Sequence, residues 1–154
     1  MKKVLIIFSL FILIAPPIEA QTFEKAKTEN PVLSVDIKTL KYEQRQLVYA
    51  ILTGDEKSVR TILDSDENPK TTYARIPLIM FAIYENNTDM IKLLISYGFD
   101  PNESVMDVTP LELAISMKKY ESIEYLLSAG VVPSEADYEL VNKSRNKKLK
   151  KLFE

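Results

Sequence analysis

The chain repeats itself every 32 residues. Laid against itself at that offset, Ala50, Ala82 and Ala114 coincide, and so do Ile51, Ile83 and Ile115. Val59, Ile91 and Ile123 follow, then Ile62, Leu94 and Leu126, then Leu63, Ile95 and Leu127. Asp66, Gly98 and Gly130 share one position, and Pro69, Pro101 and Pro133 close the register, with no gap across three copies. A unit this short cannot bury its own apolar face. Copies must therefore stack, and the core must run continuously from one to the next.

Each copy reads as two short helices. In the third, Thr109 is an N-cap and Pro110 takes the first helical position, where its missing N–H costs nothing. Leu111, Leu113, Ala114 and Ile115 supply the inward face, and a break falls near Lys118. A second helix carries Ile123, Leu126 and Leu127 at i, i+3, i+4 spacing, one apolar stripe. Gly130 ends it, as a residue free to take positive φ. The second copy repeats this with Ile79, Phe81 and Ala82, then Ile91, Leu94 and Ile95, then Gly98. The small Ala at the centre lets two helices approach closely.

The pattern resembles the ankyrin repeat, roughly T-P-L-x-x-A, a turn, V-x-x-L-L, then G-A-D-x-N. Thr109-Pro110-Leu111-Glu112-Leu113-Ala114 matches the first part, with Glu112 where the family usually has His. Ile123, Leu126, Leu127 and Gly130 match the second, and Gly98-Phe99-Asp100-Pro101-Asn102 the third. The second copy departs: Ile76-Pro77 slides the proline one place, so its helix start differs. The first lacks Thr-Pro and has Asp66 for the terminal Gly, as a capping repeat facing water would. The resemblance covers residues 40–134. It implies a mainly α solenoid of helix-turn-helix units joined by hairpin-like loops: three repeats (about 39–70, 71–102 and 103–134) and a helical cap (135–154). In the cap, Ser134 starts a helix through Asp137, Tyr138, Leu140 and Val141. Leu149, Leu152 and Phe153 repeat the V-x-x-L-L stripe.

The first twenty residues have another character. Lys2 and Lys3 precede a 12-residue apolar run over residues 4–15, interrupted by Ser9. Pro16 and Pro17 break it, and Ile18-Glu19-Ala20 precedes Gln21. This is the layout of a secretory signal peptide, with cleavage expected after Ala20. A membrane anchor needs about 20 apolar residues, which this run lacks. Its Met-Lys-Lys start points to a bacterium and export to the periplasm or beyond. Residues 21–38 show no periodicity and read as a linker or N-terminal extension.

Composition removes most chemistry. There is no His and no Cys. A Ser-His-Asp triad, a Cys nucleophile, a His/Cys zinc site and a disulfide are all excluded. Carboxylate pairs remain, among 22 acids, but a solenoid offers no deep closed pocket for them. They read as solvated faces, and the expectation is no enzyme and no cofactor. Asp64-Ser65-Asp66-Glu67-Asn68 is oxygen-rich but lacks the glycine and register of a calcium loop, so no metal is expected. Sequons at Asn86, Asn102 and Asn142 count as chance in a bacterial export. Asn86 and Asn102 instead fit the inter-helix turn and the hairpin base. Charge is uneven: residues 143–154 carry net +5, whereas residues 21–142 carry net −8. The basic stretch over residues 143–151 has no interleaved aromatic and reads as the polar face of the cap rather than as a nucleic-acid or lipid site.

The resemblance places the partner surface on the concave side, at the ends of the first helices and the loop tips. The positions are Leu52 and Thr53, Tyr84 and Glu85, Ser116 and Met117, with Tyr73, Glu103, Met106 and Asp107 on the loops. Tyr gives large contact area at low entropic cost, and Met adapts its shape. The expectation is a periplasmic protein-binding module that acts by occlusion. An acidic body suits a basic partner, such as a secreted antibacterial toxin neutralised by an immunity protein. The alternatives are an exported effector binding a host protein, or a protective partner of an envelope stress enzyme. No nucleic acid and no stable membrane insertion after cleavage are expected.

Overall fold

A computed structural model describes residues 42–65 and 76–154, with side chains from residue 45 onward. Residues 1–20, read above as a signal peptide, residues 21–38, Tyr73 and the Asp66-Glu67-Asn68 stretch lie outside the described residues. The described chain forms eight helices. They are α1 (Tyr42–Thr53), α2 (Glu56–Ser65), α3 (Leu78–Tyr84), α4 (Thr88–Ser96), α5 (Pro110–Ser116), α6 (Tyr120–Ser128), α7 (Glu135–Lys143) and α8 (Lys147–Lys151). Each first helix packs on its own second helix: α1 on α2, α3 on α4, α5 on α6. The first helices also form a row, α1 on α3, α3 on α5, α5 on α7. This is the ankyrin solenoid.

The repeated residues form the core. Ala50, Ala82 and Ala114 are buried, as are Val59, Ile91 and Ile123, and Leu94 and Leu126. Helices α1, α3 and α5 end identically. The N–H of Asp55, Asn87 and Lys119 donates to Ala50, Ala82 and Ala114 O, at 2.9–3.0 Å. The residue before, Gly54, Asn86 or Lys118, takes positive φ of 72°, 55° and 57°. This Schellman turn satisfies the last carbonyls and reverses the chain in three residues. The second helices close the same way. Gly98 and Gly130 adopt φ of 84° and 89°. Phe99 and Val131, next in line, fold back into the core.

Starts follow the side chains available. Thr109 Oγ1 accepts from Glu112 N–H at 3.1 Å with Pro110 in the first turn. One copy earlier the slid Pro77 occupies the cap position. It has no hydroxyl, so α3 starts at Leu78 without a side-chain cap. Ser134 and Asp137 form a reciprocal capping box on α7. Asp137 is nonetheless buried, and its Oδ1 has no hydrogen-bond partner among the described residues. Leu149 is buried under α8, with Leu152 and Phe153 packed against the core.

Candidate functional site

Stacking of α1, α3 and α5 in register brings the end of each first helix alongside the next. Leu52, Tyr84 and Ser116 form one line of positions, and Thr53, Glu85 and Met117 a second, since each set is 32 apart. Their environments differ. Thr53 and Ser116 are exposed, while Leu52, Glu85 and Met117 are half-buried. The hydroxyls of Thr53 and Ser116 donate back to Ala50 and Leu113 carbonyls, at 3.2 and 2.9 Å. Tyr84 is only 8% exposed. Its ring lies under Lys119, whose Nζ is 5.4 Å from the ring centroid. Tyr84 is thus a platform for a cation, with little of its surface offered to a partner.

Lys119 is a site residue that sequence reasoning missed. It stands at the N-cap of α6, a position where Asn87 caps α4 through its own side chain. A lysine has no acceptor. Its amine turns instead across the repeat junction to Tyr84 and to the neighbourhood of Glu85. Burial raises the Glu85 carboxyl above its usual range, and the Lys119 charge partly offsets this. The signal was available: a basic residue in a helix-capping register of the repeat.

The loop between the second and third repeats is a two-residue hairpin. Val105 and Val108 exchange both backbone hydrogen bonds, at 3.0 and 2.9 Å. Met106 and Asp107 between them both take positive φ, 50° and 62°. Such a turn ordinarily takes Asn-Gly, because a side chain crowds the backbone there. Met106 is 80% exposed. Asp107 is exposed and Glu103 half-buried nearby in sequence. The chain thus holds an apolar side chain in water on a strained turn. Such strain collects at functional positions.

The remaining candidates have structural roles. Asp64 Oδ1 accepts the Tyr97 hydroxyl at 2.7 Å, tying α2 to the end of α4. Asp100 Oδ1 accepts the Asn102 N–H at 2.8 Å. No group of three or more acids close enough to hold a metal ion occurs among the described residues. Acidic charge is concentrated around the third repeat and α7. Residues 97–142 hold nine acids and two bases, against six bases and one acid in residues 143–154.

Comparison with known proteins agrees with this architecture. The family profile for ankyrin repeats (three copies) matches residues 37–137. The chain is 34% identical over 108 residues to a protein of Fowlpox virus (strain NVSL) named as an ankyrin repeat protein, a match spanning 68% of this chain and 16% of the viral one. A second Fowlpox virus protein, also named for ankyrin repeats, is 32% identical over 98 residues, 63% of this chain and 24% of its own length. With the profile matching most of the chain and the stacked helix pairs in place, the chain belongs to the ankyrin-repeat family.

Proposed function

We propose that the chain is an exported, non-enzymatic module that binds a basic protein partner through the hairpin tip and the adjoining ends of its first helices. Ankyrin repeats are protein–protein interaction modules, and the observation that carries the finer reading is the hairpin. Met106 and Asp107 sit side by side on a strained, exposed turn, on a repeat that is strongly acidic. Met106 would anchor in an apolar hollow while Asp107, Glu103 and Glu112 face cations, the arrangement in which a few residues carry most of the affinity. Complementary charge speeds encounter and rejects acidic competitors. The basic and apolar segment at residues 2–15 supports passage to the periplasm. An exported binder without His or Cys chemistry acts by occlusion, which suits an immunity protein that covers the working surface of a secreted toxin.

The test is capture from periplasm, and from the products of neighbouring genes, by the chain from Gln21 with a tag at its far end. A stoichiometric partner lost in Met106→Ser/Asp107→Lys establishes the hairpin face. A partner that is toxic alone makes the protein an immunity factor. No partner in either pool, with circular dichroism intact, would reject the immunity reading.

A further inference from the structure

The α7–α8 layer brings together groups that the sequence separates. Of its six cations, Lys143 pairs with Glu139 at 2.8 Å, and Lys148 lies 4.2 Å from the Tyr120 ring centroid. Arg145, Lys147, Lys150 and Lys151 have no ion-pair partner among the described residues. The first, second and last of these are exposed. On the same layer Tyr138 is 45% exposed. Its ring meets Phe153 edge-on, with centroids 5.7 Å apart at 77°. Residues 143–151 contain no aromatic, which makes the stretch read as a merely solvated face. Folding supplies two aromatics from either side of it.

A net charge of +5 over residues 143–154, or +2 over the whole layer from Glu135, lies beside an aromatic pair of which Tyr138 is exposed and Phe153 half-buried, and this is the chemistry of an anionic lipid surface. Lysines gain from headgroup phosphates, and Tyr rings favour the boundary between water and hydrocarbon. A nucleic acid fits less well. Its extended strand would run from the cap along the third repeat, where five acids against two bases repel it. A plane can meet α8, the last described layer, with that repeat standing away from it. Insertion is not involved: α8 has five residues, and no described helix is long and apolar enough to cross a membrane.

We propose that the α7–α8 layer docks peripherally on an anionic phospholipid bilayer. Arg145, Lys147, Lys150 and Lys151 face the headgroups, and the Tyr138–Phe153 pair lies at the headgroup boundary. This surface is separate from the hairpin, so its failure would leave the proposed function standing.

The experiment uses the chain from Gln21, which keeps all eight described helices, in sedimentation with vesicles of phosphatidylcholine alone or mixed with phosphatidylglycerol. Binding is expected to the mixed vesicles only, and to fall steeply with added salt. Lys147→Gln/Lys150→Gln/Lys151→Gln weakens it roughly a hundredfold, about fivefold per lysine. Tyr138→Ser weakens it several-fold with an unchanged thermal melt. Equal binding to neutral vesicles, or no binding to either, overturns the proposal. So does competition by a single-stranded oligonucleotide or inorganic polyphosphate stronger than by the mixed vesicles. If the triple variant does not fold, Lys147→Gln/Lys151→Gln decides in its place: roughly twentyfold weaker binding supports the proposal, and unchanged binding overturns it.

Discussion

Asn86 Oδ1 accepts from both the backbone N–H and the hydroxyl of Ser122, at 3.3 and 2.9 Å, one repeat further along the chain. Ser122 is the third residue of α6 and is fully buried. In α2, α4 and α8 the corresponding N–H is taken by the helix's own Asp55, Asn87 or Asn146. In α6 that position is Lys119, which cannot accept. Asn86, held at positive φ by the turn after α3, supplies the missing acceptor, and its Nδ2 donates to Glu121 at 2.6 Å. The cap of one helix therefore comes from the previous repeat, which couples the two repeats. It also leaves Lys119 free to lie over Tyr84.

This arrangement predicts a rescue. Asn86→Gly keeps the backbone conformation but strips the acceptors, and should cost about 1–2 kcal/mol in urea unfolding. Lys119→Asn restores a local cap and should recover about 1 kcal/mol of that loss. In the parent chain Lys119→Asn should be near neutral, since the cap is already filled and the Tyr84 contact is lost. Additive effects of the two substitutions would refute the shared-cap account.

The turn after α5 stores strain that the turn after α1 does not. Lys118 is exposed at φ 57°, in the position that Gly54 fills at φ 72°. Lys118→Gly should stabilise by about 0.5–1 kcal/mol. Gly54→Ala should destabilise by a similar amount, aggravated by a new Cβ 3.1 Å from Asn87 Nδ2. Denaturant midpoints of both variants check the pair.

The hairpin sets stability against binding. Replacing Met106-Asp107 with Asn-Gly matches the turn and should add about 1 kcal/mol. It should also abolish capture of the partner. Tighter folding with undiminished capture would show that the tip makes no contact.

Glu85 makes stability pH-dependent. Burial raises its folded-state pKa above the ordinary 4.5, so its contribution is full below that value and is lost as pH rises through the folded pKa. Glu85→Gln should flatten this part of the curve and leave the variant relatively more stable at neutral pH. Asp55 works oppositely. Hydrogen bonds from Ser58 lower its pKa, so that contribution is present above its ordinary 3.8 and fades in acid. Melting curves across pH 3–8 for Glu85→Gln and Asp55→Asn separate them.

Processing is the simplest prediction. Expressed in a bacterium with its full N-terminus, the chain should lose residues 1–20 and appear in the periplasm with Gln21 first. Intact mass of the fractionated protein reads this directly.

What the sequence determined by itself is the periodic part of the molecule. The features that recur at 32 residues were largely legible: the apolar stripes, the central alanines, and Gly98 and Gly130 after the second helices; so was the local start signal Thr109-Pro110 before α5. These depend on a helix's own period and on local caps, which act within a few residues. The sequence also placed Ser134 and Asp137 at the start of α7 and marked Pro77 as a displaced start. What only the tertiary structure decided lies between copies. Tyr84 had the right position for a contact residue, yet stacking buries it beneath Lys119. Asn86 suited an inter-helix turn, but its service to Ser122 requires two repeats in register. Tyr138 and Phe153 are 15 residues apart and meet only because α8 folds back on α7. The physical reason is the same in each case. Periodicity fixes which face of a helix turns inward, whereas the partner of a polar or aromatic group is set by the distance between stacked elements.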